Sequence, residues 1–243
     1  GGDLKLWHDS DDNAAASSGE LQVIDSSGIV GRFASLALTP GGRAAIAYYD
    51  DTFADLRLWY DADGDFAYDS GERRTLLSTG SVGQYSTLVI DATGRATVLF
   101  FDASAGDLRG WFDANTNWAA DAGEIRTLDS VGTVGRFIAG AVRSNSAVVA
   151  TYYDDEGTAL KLWHDANTDG VAPSAEIRAI DTSSSVGQYF DLMLTPGGRA
   201  VSTTSAARNA SVKAIFAATG WVVEASQANA MAVWQAEPWE AAG

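Results

Sequence analysis

A four-residue pattern, Leu4-Lys5-Leu6-Trp7, returns as Leu56-Arg57-Leu58-Trp59, Leu108-Arg109-Gly110-Trp111 and Leu160-Lys161-Leu162-Trp163, always 52 residues further on. A second anchor keeps the same period: Val30-Gly31-Arg32-Phe33, Val82-Gly83-Gln84-Tyr85, Val134-Gly135-Arg136-Phe137 and Val186-Gly187-Gln188-Tyr189. Tyr48-Tyr49-Asp50, Phe100-Phe101-Asp102 and Tyr152-Tyr153-Asp154 form a third, and Val212-Lys213-Ala214-Ile215 is a degenerate fifth copy in register. A fixed period without insertions means one structural unit stacked on copies of itself. The repeats run from about 3–54, 55–106, 107–158 and 159–210, with a degenerate 211–225 and a tail at 226–243, and all 243 residues are read as a single domain.

Each period reads as four short strands. Arg32 to Leu38 alternates and is rich in β-formers, Thr39-Pro40-Gly41-Gly42 has the residues of a tight reversal, and Arg43 to Tyr49 is the next strand. Asp55 to Tyr60 and Glu72 to Leu77 follow on either side of an acidic loop, and no stretch settles into a helical period. Four strands per repeat of this length is the signature of propeller blades. The expected fold is therefore all-β, a β-propeller of about 18 strands. Two stand in an N-terminal half-unit, and the chain termini, with Ala230-Met231-Ala232-Val233-Trp234 supplying a strand, close a ring of five blades.

The acidic loops carry the chemistry. The first holds Asp9, Asp11, Asn13 and Glu20, the second Asp61, Asp63, Asp65 and Glu72. The third holds Asp113, Asn115, Asn117 and Glu124, the fourth Asp165, Asn167, Asp169 and Glu176. These are positions 1, 3, 5 and 12 of a loop, where alternate short side chains turn oxygens inward and a glutamate closes the shell; Ca²⁺ takes six to eight oxygens at about 2.3–2.6 Å. Up to four Ca²⁺ ions are expected, and they would halve the net charge of −16. Position 9 is Ser17, Asp69, Asp121 or Pro173. Position 6 is Gly170 in the fourth loop but Ala14, Phe66 and Trp118 in the others, and a bulky aromatic resists a left-handed backbone angle, so those loops are expected to follow a different path.

The same charge argues against nucleic acid, whose phosphates need clustered Lys and Arg, and no apolar run approaches the ~20 residues of a membrane-crossing helix. With no Cys, thiol catalysis and thiolate metal sites are excluded.

The repeated string Val-Gly-Arg-Phe-Ala-Ser-Leu-Ala-Leu, Gly-Gly-Arg-Ala, Tyr-Tyr-Asp and Asp-Leu-Arg-Leu-Trp resembles the blades of secreted bacterial β-propeller repeat proteins, loosely sialidase-like, over about residues 3–216. The loops resemble the calcium loop of EF-hands over 12 residues only. The resemblance implies an extracellular or cell-surface setting and a binding or architectural role. The sialidase Asp-box is absent from every repeat, which departs from a glycosidase pattern.

Catalysis is not expected. His8 and His164 share a repeat position with Tyr60 and Phe112, and Asp50, Asp102 and Asp154 also repeat, which suits packing and turn capping better than a unique active site. The leading reading is a calcium-stabilised structural or adhesive module, assembling with itself or another cell-surface protein through its terminal strands. The alternative is a lectin-like propeller that binds glycans through aromatic faces and the Arg32, Gln84, Arg136, Gln188 series; a hydrolase stands third.

Overall fold

A computed structural model describes residues 2–183, 186–206, 211–217 and 222–226, with side chains to residue 183 and again over 191–203. It is all-β, with 18 strands and no helix among the described residues. β1 (Leu4–Trp7) and β2 (Leu21–Asp25) form a two-stranded sheet. β3 (Val30–Leu38), β4 (Ala44–Asp50), β5 (Asp55–Tyr60) and β6 (Arg73–Leu77) form the first antiparallel four-stranded sheet, in sequence order. The second is β7 (Val82–Ile90), β8 (Ala96–Asp102), β9 (Asp107–Phe112) and β10 (Ile125–Asp129), and the third β11 (Val134–Val142), β12 (Val148–Asp154), β13 (Ala159–His164) and β14 (Ile177–Asp181). The fourth is β15 (Val186–Leu194), β16 (Ala200–Ala206), β17 (Ser211–Ala217) and β18 (Val222–Ser226). The architecture is propeller-like, each sheet packing face to face on the next. The strand read into 230–234 lies outside the described residues.

The core sits between sheets, which explains why each unit needs its neighbour. The second strands β4, β8 and β12 are buried at every residue, so they read as continuous apolar runs rather than alternating ones. Trp59 packs with Leu4, Leu6 and Ile24 of the half-sheet, and Trp111 with Leu56 and Leu58 of the first full sheet. The Val-Gly anchor has a steric origin: a Cβ on Gly83 would stand 2.8 Å from Leu56 Cα, and one on Gly135 the same distance from Leu108 Cα, at φ of +103° and +100°. The next aromatic, Phe33, Tyr85 or Phe137, also has positive φ, and β-bulges follow it in β3, β7 and β11. At the N-terminal end the stack is incomplete. Leu36 on β3 is 53% exposed, whereas its repeat equivalent Leu88, covered by the preceding sheet, is 4% exposed.

One buried polar pair shows how the repeat keeps its interior satisfied. Tyr48 donates to Asp25 at 2.7 Å, and Tyr152 donates to Asp129 at 2.8 Å, where Lys161 also reaches Asp129 at 3.2 Å. In the intervening repeat the same two positions are Phe100 and Leu77, so the hydroxyl and its carboxylate vanish together. A buried hydroxyl or carboxylate left alone costs about 1–3 kcal/mol, whereas replacing both partners by apolar groups approaches neutrality. Asp129→Leu alone should therefore destabilise by ~2 kcal/mol or more. The double variant Asp129→Leu/Tyr152→Phe should regain at least half of that, and urea melts of the cycle measure the coupling. Additive losses would show that the pair is not linked.

Candidate metal-binding loops

The first acidic loop joins β1 and β2 and the other three join the third and fourth strands of successive four-stranded sheets, at the same end of the strands as the Thr39–Arg43 type of turn. Position 1 is the hub of each. Asp9 accepts from the amides of Asn13 at 3.1 Å and Ala14 at 2.9 Å, and Asp113 from Asn117 at 3.2 Å and Trp118 at 3.1 Å. Asp165 accepts from Asp169 at 3.1 Å and Gly170 at 3.0 Å; Asp61 accepts from Gly64 and Phe66. Position 5 folds back on the amide two residues later, as Asn13 does on Ala15 at 2.6 Å and Asp65 on Ala67 at 2.8 Å.

The loops share one path, which corrects the expectation from position 6. Ala14, Phe66, Trp118 and Gly170 all take the left-handed conformation, with φ of 57°, 61°, 61° and 66°. Ring stacking offsets the strain of placing an aromatic there. Phe66 stacks on His8 of the preceding sheet at 3.9 Å, and Trp118 on Tyr60 at 3.9 Å with the rings 4° from parallel. The histidine at the Trp-plus-one position is thus a packing surface.

Carboxylate oxygens converge in the first two loops. One oxygen each of Asp9, Asp11 and Glu20 lie within 4.8 Å of one another, as do one each of Asp61, Asp63 and Asp65. Two oxygens on opposite sides of a calcium ion stand about 4.6–5.2 Å apart, so these groups are spaced for one ion. The amide side chains turn their NH₂ groups onto acids of the same loop: Asn13 to Asp11 at 2.7 Å, Asn117 to Asp121 at 2.8 Å and Asn167 to Asp169 at 2.8 Å. Burial pushes the Asp113 and Asp165 carboxyls above the usual carboxylate range, a cost that a neighbouring cation would reverse.

Position 12 has a role that spacing did not reveal. Glu72 accepts from the amides of Ala62 at 2.7 Å and Asp69 at 2.9 Å and from the Trp59 indole at 3.1 Å. Glu124 does the same with Ala114, Asp121 and Trp111, and Glu20 with Ser10 and Ser17. The glutamate is a staple that ties position 2 to position 9 and fixes the buried tryptophan. The fourth loop breaks this pattern. Position 9 is Pro173, which has no N–H to give, and Glu176 Oε2 is buried with no hydrogen-bond partner, as is the Trp163 Nε1 beside it in the repeat.

The repeated acids outside the loops serve turns. Asp50 accepts from the amides of Thr52 and Phe53 and pairs with Arg57 at 2.8 Å; Asp102 accepts from Ser104 and Ala105 and pairs with Arg109 at 2.9 Å. At the opposite end of the strands from the acidic loops, the half-buried rings of Phe33, Tyr85 and Phe137 form a row with centroids 4.5 and 4.8 Å apart. Arg136 lies 5.5 Å over Tyr85 and is held by Asp155 at 2.9 Å.

No family model matches the chain, and no curated protein sequence matches it. Its fold is similar to that of a protein of unknown function from Dyadobacter fermentans: 9% identity, TM-score 0.57, covering 81% of this chain and 63% of that one. It is also similar to a Hadza microbial sialidase, at 12% identity and TM-score 0.53, covering 77% of this chain and 45% of that one. The chain thus spans 63% and 45% of the lengths of these structures, and at such identities the likeness is one of fold.

Proposed function

We propose that the chain is a calcium-binding, extracellular structural or adhesive propeller module rather than an enzyme, with its ring of five blades closed by the chain ends or by self-assembly through the terminal strands. The observation that carries the calcium reading is Glu176. A carboxylate oxygen buried without a donor is costly, and it occurs in the one loop that combines the 1, 3, 5, 12 acids with glycine at position 6. In the other full repeats the position-9 amide and the Trp indole meet this oxygen; Pro173 removes the first and the Trp163 indole is unpaired, which leaves the oxygen open to a divalent cation. The converging acids of the first two loops support the same reading. The half-covered N-terminal sheet, with Leu36 and Leu38 exposed, supports closure by further strands.

Calcium uptake by equilibrium dialysis tests the proposal. Up to four ions per chain are expected, with the tightest lost in Glu176→Gln. No uptake by the wild-type chain would remove the reading, and equal uptake by the variant would remove the fourth loop from it. Glycan binding is the second reading, favoured by the Phe33–Tyr85–Phe137 row with its arginines, since sugar rings stack on aromatic faces. Hits on a glycan array that vanish in Tyr85→Ala would establish it.

A further inference from the structure

The repeat allows one volume to be compared with its own copy 52 residues away. Trp118 is 7% exposed, lies flat on Tyr60, and belongs to a cluster with Ala37, Ile90 and Ala96. One repeat on, Gly170 stands in place of Trp118, and a cavity of about 130 Å³ lies beside it. Its walls are the same walls shifted by one period: Phe112 for Tyr60, Val89 for Ala37, Val142 for Ile90 and Val148 for Ala96. The ring is gone, the Arg126 guanidinium lies over Phe112 in its stead, and the cavity is the space left beside it.

We propose that this cavity is a binding site for a small ligand carrying a planar aromatic group of indole size with a hydrogen-bonding edge. The cavity is partly open, and its lining mixes Val89, Val142 and Val148 with charged side chains, which suits a ring that carries a polar edge. Phe112 supplies an aromatic face, and the Arg126 guanidinium, 5.4 Å over that ring and bonded to the Asp169 carbonyl, supplies a cation beside it. Asp91 gives the polar edge. Its Oδ1 already accepts from the Thr93 hydroxyl at 2.6 Å and from the amides of Thr93 and Arg95, so an N–H of the ligand would bond Oδ2, which also pairs with Arg95 at 3.2 Å. The cavity shares Asp113, Asp165 and Asp169 with the third and fourth loops, so indole is tested in calcium-free buffer, where a failure to bind it leaves the calcium reading untouched.

Indole itself is the probe, because it is the group the chain places in the equivalent slot. NMR titration should find one indole bound per wild-type chain, with a dissociation constant on the order of 1 mM, as befits a nine-atom ligand. Gly170→Trp should abolish binding by refilling the slot. Trp118 already adopts the required backbone, with φ of 61° against 66° at Gly170, and a new Cβ would meet Arg126 Nη1 at 2.8 Å and the Phe112 ring at 3.0 Å, so both side chains shift to admit it. Trp118→Gly should open a second slot and bind two. Absence of binding to the wild-type chain overturns the proposal, as does indole binding that persists unchanged in Gly170→Trp. If Trp118→Gly does not fold, the wild-type and Gly170→Trp pair still decides the question.

Discussion

Thermal melts in about 10 mM calcium chloride and in excess EDTA, matched for ionic strength, should differ by at least ~5 °C and by as much as ~40 °C when all four loops fill. A ligand at about 100 times its dissociation constant adds ~2.7 kcal/mol per site to the folded state. For a chain of this length each kcal/mol moves the midpoint by roughly 2–4 °C. One occupied loop therefore gives the lower figure and four the upper. The sign follows from charge: a net −16 repels itself in the compact state, and each ion removes two units of it at the point where acids are densest. The increments should be unequal. The first three position-12 glutamates already have their oxygens on backbone amides, and an ion must share those oxygens, whereas Glu176 Oε2 meets no amide of position 9 and has the unpaired Trp163 indole N–H beside it in the repeat. Glu176→Gln should therefore remove the step that saturates at the lowest calcium. Magnesium, which demands a tight octahedron and keeps its water, should give a smaller shift. Identical midpoints in calcium and EDTA would sink the metal reading of all four loops.

The repeat made most of the fold legible. Because Trp7, Trp59, Trp111 and Trp163 are 52 apart, one reading of strand, turn and loop applied four times, and Asp55–Tyr60 is a strand as expected while Thr39–Gly42 is the turn. The strand count, including the two-stranded start, follows from the same register. What stayed hidden depends on contacts between repeats. The glutamate at position 12 could be placed in its loop by spacing, but that its oxygens meet the amides of positions 2 and 9 needs a three-dimensional path. The left-handed Phe66 and Trp118 contradict local propensity, because stacking on His8 and Tyr60 from the preceding sheet outweighs it. The signal was present in the alternation itself: each aromatic at position 6 follows, one repeat later, an aromatic or histidine after the repeated Trp. Gly170 shows the limit of motif reading. In sequence it completes a calcium-loop pattern, and in space it is also a missing ring.

Trp111→Ala should cost ~3–5 kcal/mol, the range for removing a large buried aromatic, while Trp7→Ala, the same position of the repeat, should cost under about 1 kcal/mol. Trp111 is fully buried against Leu56 and Leu58 and donates its indole N–H to Glu124 at 3.3 Å. Its loss leaves a cavity between two sheets and frees one end of the loop staple. Trp7 belongs to the uncovered half-sheet and is 45% exposed, so nearly half of its surface stays in water. The location of the cavity matters as much as its size. In a stack where each sheet contacts only its neighbours, stability is a sum of unit and interface terms, and Trp111 sits at one such interface. Weakening it should separate the first full sheet from the second, so that urea unfolding loses cooperativity and the apparent m-value falls along with the midpoint. Trp111→Phe keeps most of the apolar volume and gives up the indole N–H, so it should recover more than half of the loss and retain a single transition. Circular dichroism melts of the three variants make the comparison. Equal destabilisation by Trp7→Ala and Trp111→Ala would mean that the repeated tryptophan acts through its own sheet, and that the contact between sheets is not what holds the stack together.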